Sequence, residues 1–422
     1  MNLSERDRQV IWHPYTQMKL SQPPIGIVKG EGVYLIDEKG KKYIDAISSW
    51  WVNIHGHADP YIAEKVSEQL KKLEHTIFAG FTHEPAIELA ERLLAILPAG
   101  QSKIFYSDNG STAVEVAIKM ALQYWTNQGK KKNKIIAFEQ AYHGDTFGAM
   151  SVSARSSFTD PFKSLLFDVI HIPFPAEGAE TLTIQQLKAA IEKNKDQIAA
   201  FIFEPLVLGA GGMLMYDAAI LNELINACKD NAVLTIADEV MTGFGRTGKL
   251  FACDYLSIQP DITCLSKAIT GGTMPLGVTS CTEEVFNAFL SDDRSKTFFH
   301  GHSYTANPVA CSAALASLDL LLTDSCFESI RRIADSHLQF IGRNANNPLF
   351  KNLRFTGTIL AMDILTTEQT SYFNSRRDQL YNYFIEKAIL LRPLGNTVYV
   401  MPPYCISKDD LNQVYAALEL IV

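Results

Sequence analysis

Lys267 closes the apolar run Ile262-Thr-Cys-Leu-Ser-Lys267, and Asp238 closes another, Ala232-Val-Leu-Thr-Ile-Ala-Asp238. A lysine amine forms Schiff bases with carbonyl compounds, and a carboxylate can hold the proton of a heteroaromatic nitrogen. Two strand ends that deliver an amine and an acid together supply what pyridoxal phosphate chemistry requires. A third segment suits the same cofactor. Ser107-Asp-Asn-Gly-Ser-Thr112 follows Ile104-Phe-Tyr106 and opens a helix with apolar positions at 113, 116, 117, 120 and 121. Backbone N–H groups at a helix start attract anions, so Gly110 and Ser111 are a candidate phosphate cradle. Each feature has an ordinary reading as well: a strand-end lysine is commonly a solvated charge, and Asn or Ser before a helix is a common N-cap. The combination favours the cofactor.

Other strands end in polar residues. Tyr142-His-Gly-Asp145 follows Ile135-Ile-Ala-Phe138, and Glu204 follows Phe201-Ile-Phe203. Tyr142 is placed either to lie flat on a planar cofactor or to serve as a rim aromatic. Glu204, after three apolar residues, needs a partner, which is either a cofactor group or a neighbouring arginine. In an open parallel sheet, ligands bind at the carboxyl edge where such residues gather.

The elements that must position these residues are legible as an alternation. Helices are predicted over 60–74, 84–97, 111–127, 183–195, 217–230 and 306–322, and strands over 103–107, 134–138, 168–172, 199–203, 232–237, 262–266 and 276–281. Continuous apolar runs such as Ala199-Ala-Phe-Ile-Phe203 indicate an α/β protein with a mainly parallel, seven-stranded sheet covered on both faces. Residues 26–45 read as a small antiparallel meander turning at Gly40, and 48–57 as an aromatic, histidine-rich stretch too irregular for a helix. Beyond residue 325 the pattern changes to helices over 327–345 and 367–388, with short strands at 357–363, around 390–393 and at 397–401. The expected organisation is an N-terminal segment, 1–58, joining a small α+β lobe, 324–422, beside a large cofactor-binding domain, 59–323.

Composition narrows the function. A formal net charge of -8 argues against nucleic acid and anionic membranes as partners. Seven cysteines without a C-x-x-C pair suggest neither a disulfide framework nor a zinc site, and suit a reducing compartment. The polar start, Met1-Asn-Leu-Ser-Glu-Arg-Asp7, shows no signal-peptide pattern, and no apolar stretch reaches the roughly 20 residues that span a bilayer. The expectation is a soluble cytoplasmic protein. His55-Gly-His57 and His300-Gly-His302 have no thiol or carboxylate cluster beside them, so no metal site is expected. Nucleoside-triphosphate and dinucleotide loops are absent too.

Phe203-Glu-Pro205, Ala237-Asp-Glu-Val-Met-Thr-Gly-Phe-Gly-Arg-Thr-Gly248, Ser266-Lys-Ala268 and Gly272 together resemble the class III aminotransferases. The resemblance runs over nearly the whole chain and implies a pyridoxal-phosphate enzyme of fold type I. It assigns Lys267 to the Schiff base and to proton shuttling, Asp238 to the pyridine nitrogen, Gly110 and Ser111 to the phosphate, and Tyr142 to the ring face. Gly301, His302 and Ser303, from Phe299-His-Gly-His-Ser-Tyr304, would reach the phosphate end of a neighbouring subunit's site, which implies a homodimer with shared active sites. Some members carry proline-threonine where His302-Ser303 stands here, so the hydroxyl is kept and the role of the histidine is open.

Trp12-His-Pro-Tyr-Thr16, Ser48-Ser-Trp-Trp51, Ala141 to Ser151, and Arg392-Pro393 with Tyr399-Val-Met-Pro-Pro-Tyr404 resemble one subgroup of that family. Its members aminate 8-amino-7-oxononanoate in biotin biosynthesis, usually with S-adenosylmethionine as donor. The resemblance implies that Tyr15, Trp50, Trp51, Arg392 and Tyr399 select the substrate and that Arg246 handles a carboxylate. Core packing is the competing role for Trp50 and Trp51. Rival functions are another ω-aminotransferase of the class, acting on ornithine, GABA or a polyamine; an aminomutase of the glutamate-semialdehyde type; and a non-enzymatic binding protein of the same fold.

Overall fold

A computed structural model describes residues 1–421. Numbered along the chain, the strands of its central sheet are β1 Gln101–Ser107, β2 Lys134–Phe138, β3 Val169–Ile172, β4 Ile198–Phe203, β5 Leu234–Asp238, β6 Ile262–Leu265 and β7 Gly277–Thr282. Their spatial order is β1-β7-β6-β5-β4-β2-β3. β7 is antiparallel to both of its neighbours and the remaining pairs are parallel, so every strand but β7 points the same way.

The unbroken apolar runs have a direct cause: both faces of the sheet are covered, and β4 and β5 are buried at every position. From Ala200 onward the side chains of β4 alternate between two cores. Ala200 and Ile202 pack with the buried face of helix Gly110–Asn127, among them Ala113, Val116 and Ala117. Phe201 and Phe203 pack on the opposite side with Leu187 and Ile191 of helix Glu180–Lys193 and Leu221 and Leu224 of helix Ala218–Lys229.

The second lobe carries a three-stranded antiparallel sheet, Phe350–Thr356, Ile359–Ile364 and Thr397–Val400, flanked by helices Asp324–Asn344, Arg376–Glu386 and Lys408–Glu419. The helix expected from 367 begins only at Arg376. Before it, Glu368 accepts hydrogen bonds from Ser375 N–H and Oγ, and Asn374 is buried with its amide on the Gln369 carbonyl, which folds 366–375 into a loop. The N-terminal meander has three strands, Ile27–Glu31, Tyr34–Asp37 and Lys42–Asp45, and the last pairs in parallel with Ile389–Leu390, Ile44 opposite Ile389.

His337 lies fully buried in this lobe, its Nε2 donating to the Thr358 carbonyl at 3.1 Å and its Nδ1 accepting from Tyr415 Oη at 2.7 Å. Burial holds its pKa down at about 4, against 6.5 for a free side chain. Above pH 6.5 the ring is neutral folded and unfolded, so the protein has its full stability there. Below 6.5 the unfolded chain takes up a proton that the folded one refuses, and stability falls until the folded pKa is passed. The loss from this one group is about 1.4 kcal/mol per pH unit. Denaturation midpoints measured between pH 7 and pH 4 are expected to fall less steeply in His337→Gln than in the parent.

Among the described residues no single helix is long and apolar enough to cross a membrane. Of the histidines in the two His-Gly-His segments, His55 faces Ser317, His57 donates to Asp45 at 2.9 Å, His300 sits 3.0 Å from Lys119 Nζ, and His302 accepts from Tyr304 N–H at Nδ1 with its Nε2 buried and without a protein partner among the described residues.

Candidate active site

Because the parallel strands end on one edge, their following residues converge. Helix Gly110–Asn127 starts after β1, Tyr142 to Asp145 come after β2, Glu204 after β4, and Lys267 just after β6, while Asp238 is the last residue of β5. They line one cavity of about 660 Å³, with Gly110, Ser111, Tyr142, Glu204, Asp238, Lys267 and Trp51 in its wall.

Asp238 is nearly out of solvent and held at both oxygens: His143 Nδ1 donates to Oδ2 at 2.7 Å, and Val240 N–H to Oδ1 at 3.1 Å. The other ring nitrogen of His143, Nε2, is buried with no partner in the protein. Glu204 lines the cavity and meets no arginine among the described residues. Its two oxygens accept the N–H groups of Tyr142 and Gly209, each at 2.9 Å, so it ties the loop after β2 to the loop after β4. Burial pushes its carboxyl up to about 7.

Lys267 stands at the head of a short 3-10 turn with φ +48°, a left-handed conformation that costs a non-glycine residue energy and concentrates at functional sites. It keeps some accessible surface because it faces the cavity, and its Nζ lies 4.3 Å from the centre of the Trp51 ring. Burial pushes its ammonium down to about 8; the carboxylates of Asp238 and Glu204 oppose that shift and Arg246 adds to it. The amine is therefore nucleophilic near neutrality. Capture of pyridoxal phosphate by the cofactor-free chain, followed by absorbance after rapid mixing, is expected to rise roughly tenfold per pH unit up to about pH 8 and level off above it. A rise continuing to pH 10 would mean a lysine of ordinary basicity.

At the helix start, Asn109 Oδ1 caps the Thr112 N–H at 3.0 Å, which leaves the Gly110 and Ser111 N–H groups at the open end without intrahelical partners. Gly144, at φ +135°, lets the loop after β2 pass against this turn: a Cβ there would fall 2.1 Å from Ser111 Oγ. An anion site, a depressed lysine and a histidine-backed carboxylate thus surround one cavity, which fits pyridoxal phosphate at its phosphate, carbonyl and ring nitrogen.

The sequence-predicted substrate residues divide into two groups. Tyr15 Oη donates to Asp145 Oδ2 at 2.6 Å and lies 3.3 Å from Tyr142 Oη, so the N-terminal segment closes over the cavity. Trp50 is part-exposed beside it, with the Arg392 guanidinium 4.9 Å over its ring. Arg246 and Tyr399, in contrast, do not line the cavity. The Arg246 guanidinium is fully buried and donates to the carbonyls of Pro402 at 3.0 Å and Trp51 at 3.3 Å, and Tyr399 Oη accepts from Trp51 Nε1 at 3.0 Å. Both hold Trp51, which does face the cavity. Gly301 and Ser303 are exposed and His302 part-exposed, on a segment outside this cavity. His143 and Asp145 were in view within Tyr142-His-Gly-Asp145 but were given no role; a buried carboxylate on β5 that needs a donor was the available signal for the histidine.

The family model for aminotransferase class-III matches residues 15–422. The chain belongs to the class III aminotransferases. Like other members of that family it is a transaminase working with pyridoxal phosphate, and its sheet with flanking helices is the type I fold of these enzymes. It is 47% identical, over 97% of each chain, to the adenosylmethionine-8-amino-7-oxononanoate aminotransferase of Synechococcus elongatus. The enzyme of the same name from Geobacter sulfurreducens is 40% identical over 99% of this chain and 96% of its own. Among solved structures, the adenosylmethionine-8-amino-7-oxononanoate aminotransferase of Methanocaldococcus jannaschii superposes with a TM-score of 0.93 at 37% identity, covering 99% of this chain and 97% of that one. An omega transaminase from Pseudomonas jessenii in complex with PMP gives 0.93 at 28% identity, covering 99% and 96%.

Proposed function

We propose that this class III aminotransferase transfers the amino group of S-adenosylmethionine to 8-amino-7-oxononanoate, giving 7,8-diaminononanoate in biotin biosynthesis. The observation that carries the reading is a chain of contacts leading out from the cavity: Trp51 and Tyr142 line it, Tyr15 lies against Tyr142 and packs on Trp50, and the Arg392 guanidinium lies over the Trp50 ring. A long aliphatic keto acid needs an apolar channel for its chain and one guanidinium to pair bidentately with its carboxylate. Near-full-length likeness to enzymes named for this acceptor and donor supports the same reading.

When bound, pyridoxal phosphate supplies an electron sink for the pair left behind when a proton departs from the amine-bearing carbon. Lys267 Nζ, whose pKa is held down to about 8, would take that proton and deliver it to the cofactor carbon within the same half-reaction, and would run the transfer in reverse when the keto acid is aminated. Asp238, fixed in place by His143, would hold the proton on the ring nitrogen. Gly110 and Ser111 would hold the phosphate, and Tyr142 would lie against the ring. Trp51, wedged by Arg246 and Tyr399, excludes water beside Lys267.

The reading extends to a cytoplasmic homodimer in which Gly301, His302 and Ser303 serve the phosphate end of a second copy's site, and to domains divided at 58/59 and 323/324. Purified enzyme is expected to aminate 8-amino-7-oxononanoate with S-adenosylmethionine when donors are compared in single-turnover half-reactions. Turnover with ornithine or GABA and none with this ketone would move it to the rival ω-aminotransferases; lysine in place of the adenosyl donor would change the donor alone.

A further inference from the structure

Outside the cavity, aromatic side chains from four segments meet in a continuous row. Tyr15 packs edge-on against Trp50 at 5.7 Å between centres and against Phe158 at 6.0 Å. Phe158 in turn packs edge-on against Tyr372 at 4.9 Å and stacks on Phe373 at 5.4 Å and 28°. The row starts at the cavity, since Tyr15 is bonded to Asp145 and faces Tyr142, and it ends on the second lobe. Tyr15, Trp50 and Phe158 each keep 39% of their surface exposed and Phe373 keeps 64%, so the row is a contiguous exposed aromatic surface of the kind that marks ligand-binding grooves.

The row is built into the fold. Phe373 and Tyr372 ride on the loop 366–375, which is pinned by Asn374 and by Asn396 Nδ2 donating to Thr370 Oγ1 at 3.3 Å. Gly395, at φ +69°, lets that loop press on the turn following Arg392: a Cβ there would fall 1.6 Å from the Ser371 carbonyl oxygen. The loop and Arg392 are thereby positioned together.

Cations already cover two of the rings. The guanidinium of Arg392 lies over Trp50 and that of Arg377 lies 5.0 Å over Tyr372. Among the described residues none covers Tyr15, Phe158 or Phe373. Exposed ring faces without a cation suit a flat heteroaromatic base, and they also attract a positive charge. The aliphatic keto acid has an ammonium but no flat base, whereas an adenosyl sulfonium donor has both, so the base is what singles out the donor.

We infer that Tyr15, Phe158 and Phe373 form an outer subsite that takes the adenine and sulfonium of the amino donor while its amino group reaches Lys267. The inference rests on the adenosyl donor proposed above and names how the chain selects it. Phe158 and Phe373 are specificity residues here, in contact with the donor and remote from the reacting atoms.

The test uses the holoenzyme and separates the two half-reactions. Phe158→Ala combined with Phe373→Ala is expected to raise the KM for S-adenosylmethionine by about tenfold or more, with the keto-acid half-reaction keeping its KM. Phe158→Trp with Phe373 kept, which retains a ring at both positions, should hold the donor KM near that of the parent. 5′-Methylthioadenosine, which carries the base without the amino acid, should bind the parent and lose about tenfold in affinity for the double alanine variant by calorimetry. Donor KM and methylthioadenosine affinity both unmoved would overturn the subsite and leave the proposed reaction standing. Equal losses in both half-reactions would make the rings structural and overturn it as well. A parent enzyme that aminates the ketone from another amine, with no response to either adenosyl compound, would overturn the donor assignment and the subsite with it.

Discussion

Lys267→Ala should lower kcat for amino transfer by on the order of ten-thousandfold, the upper range for removing a positioned acid–base group. In the proposed mechanism the lysine combines the roles of nucleophile toward the cofactor carbonyl and proton carrier, and the neighbouring carboxylates are engaged elsewhere: Glu204 is tied by two backbone N–H groups and Asp238 by His143. The fold should survive. An alanine at φ +48° retains a cost of about 1–2 kcal/mol that the lysine already bears, and the variant relieves the desolvation of an amine. Mass spectrometry after borohydride treatment separates loss of chemistry from loss of structure. The cofactor becomes fixed to the parent chain and not to the variant, while the two circular dichroism spectra coincide. Covalent fixation persisting in Lys267→Ala would assign the Schiff-base role to another lysine.

Asp238→Asn is expected to reduce kcat by roughly a hundred- to a thousandfold, the loss seen when one preorganised electrostatic partner of a developing charge is removed. The substitution is close to isosteric. The single asparagine carbonyl can still accept from Val240 N–H, while its NH2, standing where Oδ2 was, donates to His143 Nδ1 once the ring proton moves to Nε2, so packing and the backbone path of β5 should be unchanged. What disappears is the negative charge facing the ring nitrogen, and with it the preference for a protonated ring. The cofactor's dissociation constant should rise, and its bound spectrum should shift even where occupancy is restored by excess. A variant with parental kcat would show that Asp238 is a packing residue of the strand end.

The parts of this fold that could be read from the chain are those in which one physical rule dominates. β4 and β5 are sandwiched between two layers of helices, so burial leaves only apolar residues and the strands stand out as runs. Strand Phe350–Thr356 escaped because most of its residues are only half covered, and charged Lys351 and Arg354 interrupt the pattern. The helix start at Arg376 escaped because side-chain bonds from Glu368 and Asn374, invisible to periodicity, hold the preceding residues in a loop.

For the site, strand ends told which residues share an edge, and Lys267, Asp238, Gly110, Ser111 and Tyr142 do meet around one cavity. Side-chain direction was not encoded in the same way. Arg246 looks like a substrate cation in sequence, yet the carbonyls of Trp51 and Pro402 turn its guanidinium inward. Phe158 and the adjacent pair Tyr372-Phe373 lie too far apart along the chain for any spacing rule to unite them.

Trp51, the lid beside the reactive amine, is gripped from a strand near the other end of the polypeptide: Tyr399 takes its indole N–H, and Ser48 Oγ donates to the Met401 carbonyl. On the ribosome, the large α/β layer can condense once its last strand has emerged, with the lysine and the aspartate already side by side. The lid cannot seat until residues 397–401 have followed. Shielding of the amine from water is therefore acquired later than the pairing of lysine and aspartate, and it depends on a strand whose Val398, Val400 and Met401 are packed into the same core as Leu265 and Ala268.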